Sequence, residues 1–173
     1  MAADIPLSDW LHSWAAGQLH WTVGTRQSAM LAIDGTILPS LQGEMVQGLT
    51  RARVQEAVTA WTRDLAPATT RSRWAYLVGP MRQAVADGLI ERSPCEGVRL
   101  PPVPPGRPGI LTVEQVRHIT EAMTPRLTTM VTVAAATGMR SGELRGLTWD
   151  RISGSVVAVD RQLSRESRSG RPV

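Results

Sequence analysis

The sequence predicts a mainly α-helical protein with a helical domain over residues 1–100, a linker over 101–108, and a second domain over 109–173 in which helices precede strands. Three observations support this prediction. Apolar residues recur at helical spacing along most of the chain, a proline run interrupts that pattern after Leu100, and a Val-rich run follows the dipeptide Ser153-Gly154. With 173 residues and 42% apolar content, the chain can bury a sizeable core.

Two helices are predicted in the first 40 residues. The apolar residues of the first lie at positions i, i+3, i+4 and i+7, which is the spacing of an amphipathic helix: Leu7, Trp10, Leu11 and Trp14. The second is predicted over residues 26–33. We expect it to end at Asp34-Gly35, ahead of Leu38-Pro39 and a loop that contains Gly43.

Two longer helices follow. Thr50 can cap the third, whose apolar stripe consists of Val54, Ala57, Val58, Trp61 and Leu65. Pro67 suits the start of the fourth, whose apolar stripe consists of Trp74, Leu77, Val78, Met81, Val85 and Leu89. Because stripes at this spacing normally face a core, we interpret four tryptophans as core residues: Trp10, Trp14, Trp61 and Trp74.

The segment Leu100–Pro108 cannot sustain a helix or a central strand, since each proline fixes φ and removes a donor. We predict a stiff, extended linker over 101–108. Thr112 and Gln115 then form a capping-box pattern that opens a new helix, whose apolar residues are Val113, Val116 and Ile119.

The rest of the second domain is predicted to contain a helix and a strand pair. Residues 127–136 are nearly all apolar or small, which predicts a buried helix ended by Gly138. Strands joined by a tight turn are predicted between Arg151 and Gln162. Residues 164–173 are expected to be frayed.

Positive charge is distributed unevenly. Residues 1–50 carry one Arg and four acids, 51–108 carry nine Arg and five acids, and 109–173 carry nine Arg and six acids. This distribution fits a surface that faces an anionic polymer, although a solvated charged face would give it too. Cys95 is the only cysteine, so neither an internal disulfide nor a cysteine-rich zinc site is expected.

The chain has no basic segment followed by a long apolar run, and no window approaches the ~18–20 uninterrupted apolar residues that a membrane span needs. We therefore expect a cytoplasmic protein with no membrane partner.

The most specific segment is T-G-M-R-S-G-E-L-R-G-L-T-W, residues 137–149. Here Arg140 stands at a break between two helices, where a cation ahead of a helix start costs roughly 0.3–1 kcal/mol. An anionic group such as a phosphate would explain it, and an arginine merely exposed on a loop is the alternative. Glu143 is either an acid favoured by the helix dipole or a residue that orients Arg140.

This run closely resembles the first-arginine box of the tyrosine recombinases, the family of phage integrases. Weaker matches upstream resemble the family's helical core-binding domain: Leu49-Thr50, Ala68-Thr69-Thr70, the segment 84–90 and Ser93-Pro94-Cys95. The resemblance implies a DNA-binding core-binding domain over 1–100 and the truncated start of an α+β catalytic domain over 109–173. It implies double-stranded DNA as the partner, with other recombinase subunits as further candidates, and it implies no metal and no cofactor.

In that family a tyrosine attacks the scissile phosphate and forms a 3′-phosphotyrosyl bond, and cationic groups stabilise the charge that develops. By the resemblance, Arg140 matches the first catalytic arginine and Glu143 the supporting acid. The family's lysine has no counterpart, because the chain contains no lysine, and no histidine is followed by arginine three residues later. The single tyrosine, Tyr76, lies in the fourth helix and is interpreted as a packing or DNA-facing residue.

We therefore expect a catalytically incomplete DNA-binding fragment of a site-specific recombinase. One alternative is a piece of an active recombinase that another polypeptide completes, and another is a helical DNA-binding regulator. Within the first domain, Arg71 and Arg73 are the predicted DNA phosphate contacts.

Overall fold

The computed structural model describes residues 4–106 and 109–163, so the tail predicted to be frayed lies outside the described residues. The chain divides into two compact units, unit 1 (Met1–Pro105) and unit 2 (Gly106–Val173), and the division falls inside the proline-rich segment. In the part of the chain that is described, no helix is long and apolar enough to cross a lipid bilayer. The mainly α-helical fold class is confirmed.

Over its described residues, unit 1 contains five α-helices around one hydrophobic core: α1 (Leu7–Ala16), α2 (Val23–Ala32), α3 (Leu38–Ser40), α4 (Arg51–Asp64) and α5 (Pro67–Ala86). The apolar stripes supply that core, in which Leu11, Val54, Leu77 and Met81 are fully buried. Thr50 caps α4 as predicted, since its hydroxyl accepts the backbone N–H of Arg53 at 3.2 Å.

The predicted stop at Asp34-Gly35 is wrong. The chain passes from α2 into a π-helical turn, Ile33–Ile37, and then directly into α3. Both Ile33 and Ile37 are completely buried, so the hydrophobic gain from keeping the chain helical exceeds the modest cost of a glycine in a helix. Burial overrides the local turn signal.

The interpretation of the tryptophans as core residues is confirmed. Trp61 is buried, and Trp10, Trp14 and Trp74 are partly buried against the core. The indole N–H of Trp10 donates to the carbonyl oxygen of Pro80 at 3.0 Å, which ties α1 to α5. The indole N–H of Trp61 likewise donates to the hydroxyl of Ser40 at 2.9 Å, so both groups are hydrogen-bonded while their rings pack.

Unit 2 contains α6 (Val113–Glu121), α7 (Pro125–Thr137), α8 (Ser141–Gly146) and an antiparallel pair of short strands, β1 (Ile152–Ser153) and β2 (Val156–Val157). The capping box at the start of α6 is confirmed in both directions. The turn between the strands contains Gly154 at φ +59°, a conformation that favours glycine. The strand β2 is shorter than the Val-rich run, although the backbone N–H of Ala158 still donates to the carbonyl oxygen of Arg151 at 2.9 Å.

The prediction that residues 127–136 form a buried helix is only half right. The helix forms as α7, but it has no buried residue, and Leu127 is 44% exposed. Val113, one of the apolar residues of α6, is 89% exposed. Only Met139 and Gly146 are buried among the described residues of unit 2, because α6 and α8 pack against α7 without burying any of its side chains.

Candidate functional site

The candidate site begins where α7 ends. Gly138 adopts a left-handed conformation, φ +70°, and closes the helix as predicted. Met139 then turns inward and is buried, whereas Arg140 is extended and directly precedes α8. The chain therefore places the arginine side chain at a break between two helices.

Glu143 holds Arg140 in this position. Its carboxylate accepts the backbone N–H of Arg140 at 2.7 Å and lies 3.1 Å from the guanidinium Nη1. The backbone hydrogen bond and then the side-chain hydrogen bond lower the pKa of Glu143, so the group is a carboxylate at neutral pH. The side chain of Glu143 is 20% exposed and that of Arg140 is 85% exposed.

The pairing with Glu143 explains the position of Arg140 differently from the sequence analysis, which inferred an external anion such as a phosphate. The carboxylate of Glu143 is an internal counter-ion at the start of α8, so an external anion is not required to explain an arginine there. The geometry instead favours the orienting role for Glu143, because one carboxylate fixes both the backbone and the side chain of Arg140. The remaining guanidinium N–H groups stay open to solvent and can donate to a phosphate.

The segment after β2 packs closely against α8. A Cβ on Gly146 would lie 3.0 Å from the Cα of Gln162, and one on Gly142 would lie 3.2 Å from the carbonyl oxygen of Leu163. The backbone N–H of Leu163 donates to the carbonyl of Gly142 at 2.8 Å. The two glycines of the box therefore allow backbone-to-backbone packing that a side chain would obstruct.

Charged side chains surround this contact. Arg151 pairs with Asp160 at 3.1 Å and with Asp150 at 3.4 Å, and Arg161 lies 3.6 Å from Asp150. The hydroxyl of Thr148 bonds to Asp150 and is the main cause of the lowered pKa of that carboxyl. Asp160 and Arg161 were missed by the sequence analysis, since no local motif marks a pairing across the turn.

The two arginines predicted in the first domain do not lie together. Arg71 is exposed, and its Nε–H donates to the carbonyl oxygen of Pro101 at 3.0 Å. Arg73 is half-buried, and its Nε is buried without a hydrogen-bond partner among the described residues. Two residues apart on one helix, they point about 200° apart, so they do not form one patch.

Two other reactive side chains, Tyr76 and Cys95, are packed against the core of unit 1. Tyr76 packs edge-to-face against Trp21, with ring centroids 6.0 Å apart. Cys95 is buried, and burial raises the pKa of its thiol to about 11. Within residues 4–106 and 109–163, no group of three or more His, Cys, Asp or Glu side chains could hold a metal ion.

Comparison with known proteins finds a similar protein among the integrases. No protein-family model matches the chain. The chain is 26% identical over 148 residues to a protein named Integrase from Streptomyces ambofaciens, a match that covers 84% of the chain and 37% of that protein. The chain therefore spans little more than a third of this curated relative.

Two solved structures share its fold. The Tn1549 transposon integrase in complex with circular intermediate DNA matches 96% of the chain and 57% of its own, with a TM-score of 0.80 and 16% identity. A lambda integrase dimer bound to a COC′ core site matches 98% of the chain and 48% of its own, with a TM-score of 0.78 and 19% identity. These relationships confirm the resemblance to integrases that the Arg140 segment indicated.

Proposed function

We propose that this chain, a relative of the integrases of the tyrosine recombinase family, is a double-stranded DNA-binding part of a site-specific recombinase. The observation that carries the proposal is the exposed guanidinium of Arg140, fixed at a helix break by Glu143. A planar guanidinium held in one orientation can donate two parallel hydrogen bonds to a phosphate. In this proposal Arg140 contacts the phosphate at which recombination occurs, and Glu143 positions it.

DNA is the partner that the related proteins support, and we propose that the bound DNA is double-stranded. The Tn1549 and lambda integrases are both bound to DNA, and the lambda protein is a dimer. The excess of arginine after residue 50 adds a favourable electrostatic term. We propose further recombinase subunits as additional partners.

Within unit 1, we propose Arg71 and Arg73 as phosphate contacts. Arg71 suits the role better, because only its Nε is engaged and the end of its guanidinium is exposed. For Arg73, contact with DNA would require the half-buried side chain to turn outward.

Fluorescence anisotropy with a labelled duplex tests the proposal. The log of the affinity should fall with log salt at a slope of about −0.9 for each phosphate neutralised. Arg140→Ala should weaken binding and make that slope shallower by about 0.9, whereas Arg126→Ala, the same charge change at an exposed position of α7, should have a smaller effect. Binding that does not respond to salt, or equal effects of the two variants, would contradict the proposal.

A further inference from the structure

The surface of unit 1 has a polar cavity that contains no residue of the Arg140 segment. It has a volume of about 450 Å³ and is lined by Arg51, Ala52, Gln55, Gly97 and Arg99. Its two arginines are 48 positions apart in sequence, so the fold brings them to the same cavity. We call it the Arg51–Arg99 pocket.

Gln55 connects the two sides of the pocket. Its side-chain oxygen accepts the backbone N–H of Arg99 at 2.8 Å, and its side-chain N–H donates to the carbonyl of Arg99 at 3.2 Å. Both backbone polar groups of Arg99 are thereby fixed to α4. Two residues further on, the bond from Arg71 to Pro101 holds the same extended segment to α5. The segment is therefore held at two points, to α4 at Arg99 and to α5 at Pro101.

Arg51 reaches across from α4. Its Nη1 would lie 3.2 Å from a Cβ at position 97, where Gly97 has φ +72°. Glycine at this position both permits the left-handed turn and leaves space for the guanidinium. Among the described residues, neither the Arg51 nor the Arg99 side chain forms an ion pair, so two positive charges line one cavity without an internal counter-ion.

We propose that the Arg51–Arg99 pocket binds a backbone phosphate of DNA, with Gln55 as a positioning residue. The inference rests on the proposed DNA-binding function and gives it a specific contact surface in unit 1. Two arginines facing one concave space complement a phosphodiester, whose two free oxygens can accept from both guanidinium groups. Such a contact would be made equally to any DNA sequence, because the phosphate does not differ from one base to another.

The test measures duplex affinity of the full 173-residue chain across a salt series. Arg51→Gln and Arg99→Gln should each weaken binding, and the double variant should lower the log–log salt slope by about 0.9. Between 50 and 200 mM salt, the affinity of the double variant should then fall about 3.5-fold less than that of the wild type. Arg63→Gln is the matched control, since Arg63 is exposed at the other end of α4. Arg51→Lys should retain most of the slope.

Gln55→Ala distinguishes positioning from general stability. It should weaken DNA binding in the wild-type background and add little in the Arg99→Gln background, because it acts through Arg99. Equal weakening in both backgrounds would overturn the positioning role.

Three results would overturn the assignment. If the wild type binds DNA with salt dependence but the double variant matches Arg63→Gln, the pocket is not a contact while the proposed function stands. If the wild type shows no salt-dependent binding, the proposed function and the pocket's assignment both fail. If inorganic phosphate binds to the wild type but not to the double variant, and yet lowers the DNA affinity of the wild type no more than chloride of equal ionic strength does, the pocket binds a small anion and is not a DNA contact.

Discussion

Glu143 accepts the backbone N–H of Arg140 at 2.7 Å and at the same time lies 3.1 Å from its guanidinium. The side chain that holds the arginine is thus held by the arginine's own backbone. Of the causes that lower the pKa of Glu143, this backbone hydrogen bond is the largest. Removing the arginine side chain leaves that bond in place.

We therefore expect Arg140→Ala to raise the pKa of Glu143 only part of the way to its ordinary value of 4.5. The side-chain hydrogen bond and the charge of Arg140 would be lost, but the larger backbone contribution would remain. Carboxyl-carbon NMR titration of both proteins measures the difference. A complete return to the ordinary value would show that the guanidinium, and not the backbone, dominates.

The same carboxylate should make the stability of unit 2 depend on pH. Because the folded pKa of Glu143 is lowered, its contribution is present above the unfolded pKa and is lost as pH falls through the folded value. We expect Glu143→Gln to be less stable than the wild type at neutral pH, and the gap between the two melting temperatures to close on acidification. A gap that is constant with pH would contradict this.

Two glycines of unit 1 should respond to alanine in opposite directions. A Cβ on Gly79 would lie 2.6 Å from Cζ2 of Trp14, whereas one on Gly35 would meet only Leu31 at 3.7 Å. Overpacking costs about 1–3 kcal/mol and outweighs the gain in helix propensity of about 1 kcal/mol. Gly79→Ala should thus lower the free energy of unfolding, and Gly35→Ala should raise it by about 0.5–1 kcal/mol. Urea unfolding measures both, and changes of the same sign would contradict the packing argument.

Local signals in the sequence predicted local structure well. The caps at Thr50 and Thr112 were found because donor and acceptor lie within three residues of each other. The Arg140 segment was recognisable for the same reason, since Gly138, Arg140 and Glu143 form one continuous motif. In each of these patterns the interacting residues lie within one or two helical turns of one another, so the sequence alone indicates the contact.

Features that depend on the tertiary fold could not be predicted in this way. Asp34-Gly35 has the composition of a helix stop, yet buried isoleucines on either side keep the chain helical. The bond between Gln55 and Arg99 joins residues 44 positions apart. Nothing in the residues around Arg99 indicates that α4 holds it, and so the prediction for unit 1 favoured Arg71 and Arg73 instead.

We expect the 173-residue chain to form no covalent adduct with DNA. Its single tyrosine, Tyr76, is partly buried against Trp21 in the core of unit 1, so its ring is engaged in packing. A duplex nicked near the cleavage position would trap any phosphotyrosyl product, which a mass shift on denaturing gels would reveal. An adduct that Tyr76→Phe abolishes would contradict the packing role.

Limited proteolysis should separate the two units. Segments with few buried apolar contacts open locally at low free-energy cost, and unit 2 buries only Met139 and Gly146 among its described residues. Ahead of α6, Ile110 and Leu111 are 91% and 55% exposed and lie outside regular structure. Thermolysin, which cleaves before apolar residues, should cut there first and leave a resistant fragment that contains unit 1.

Leu19 of unit 1 is the internal control, because it is 92% exposed and also lies between helices. Its backbone is better held: its N–H donates to the carbonyl of Gly17 at 2.9 Å, and Arg26 donates to the carbonyl of the preceding Gln18 at 3.0 Å. A protease needs an extended, freed backbone and not exposure alone, so cleavage at Leu19 should lag behind cleavage at Ile110. Intact-mass analysis over time measures the order. If residues 109–163 resisted digestion as strongly as unit 1, α6 and α7 would have to be protected by contacts other than burial of their own side chains.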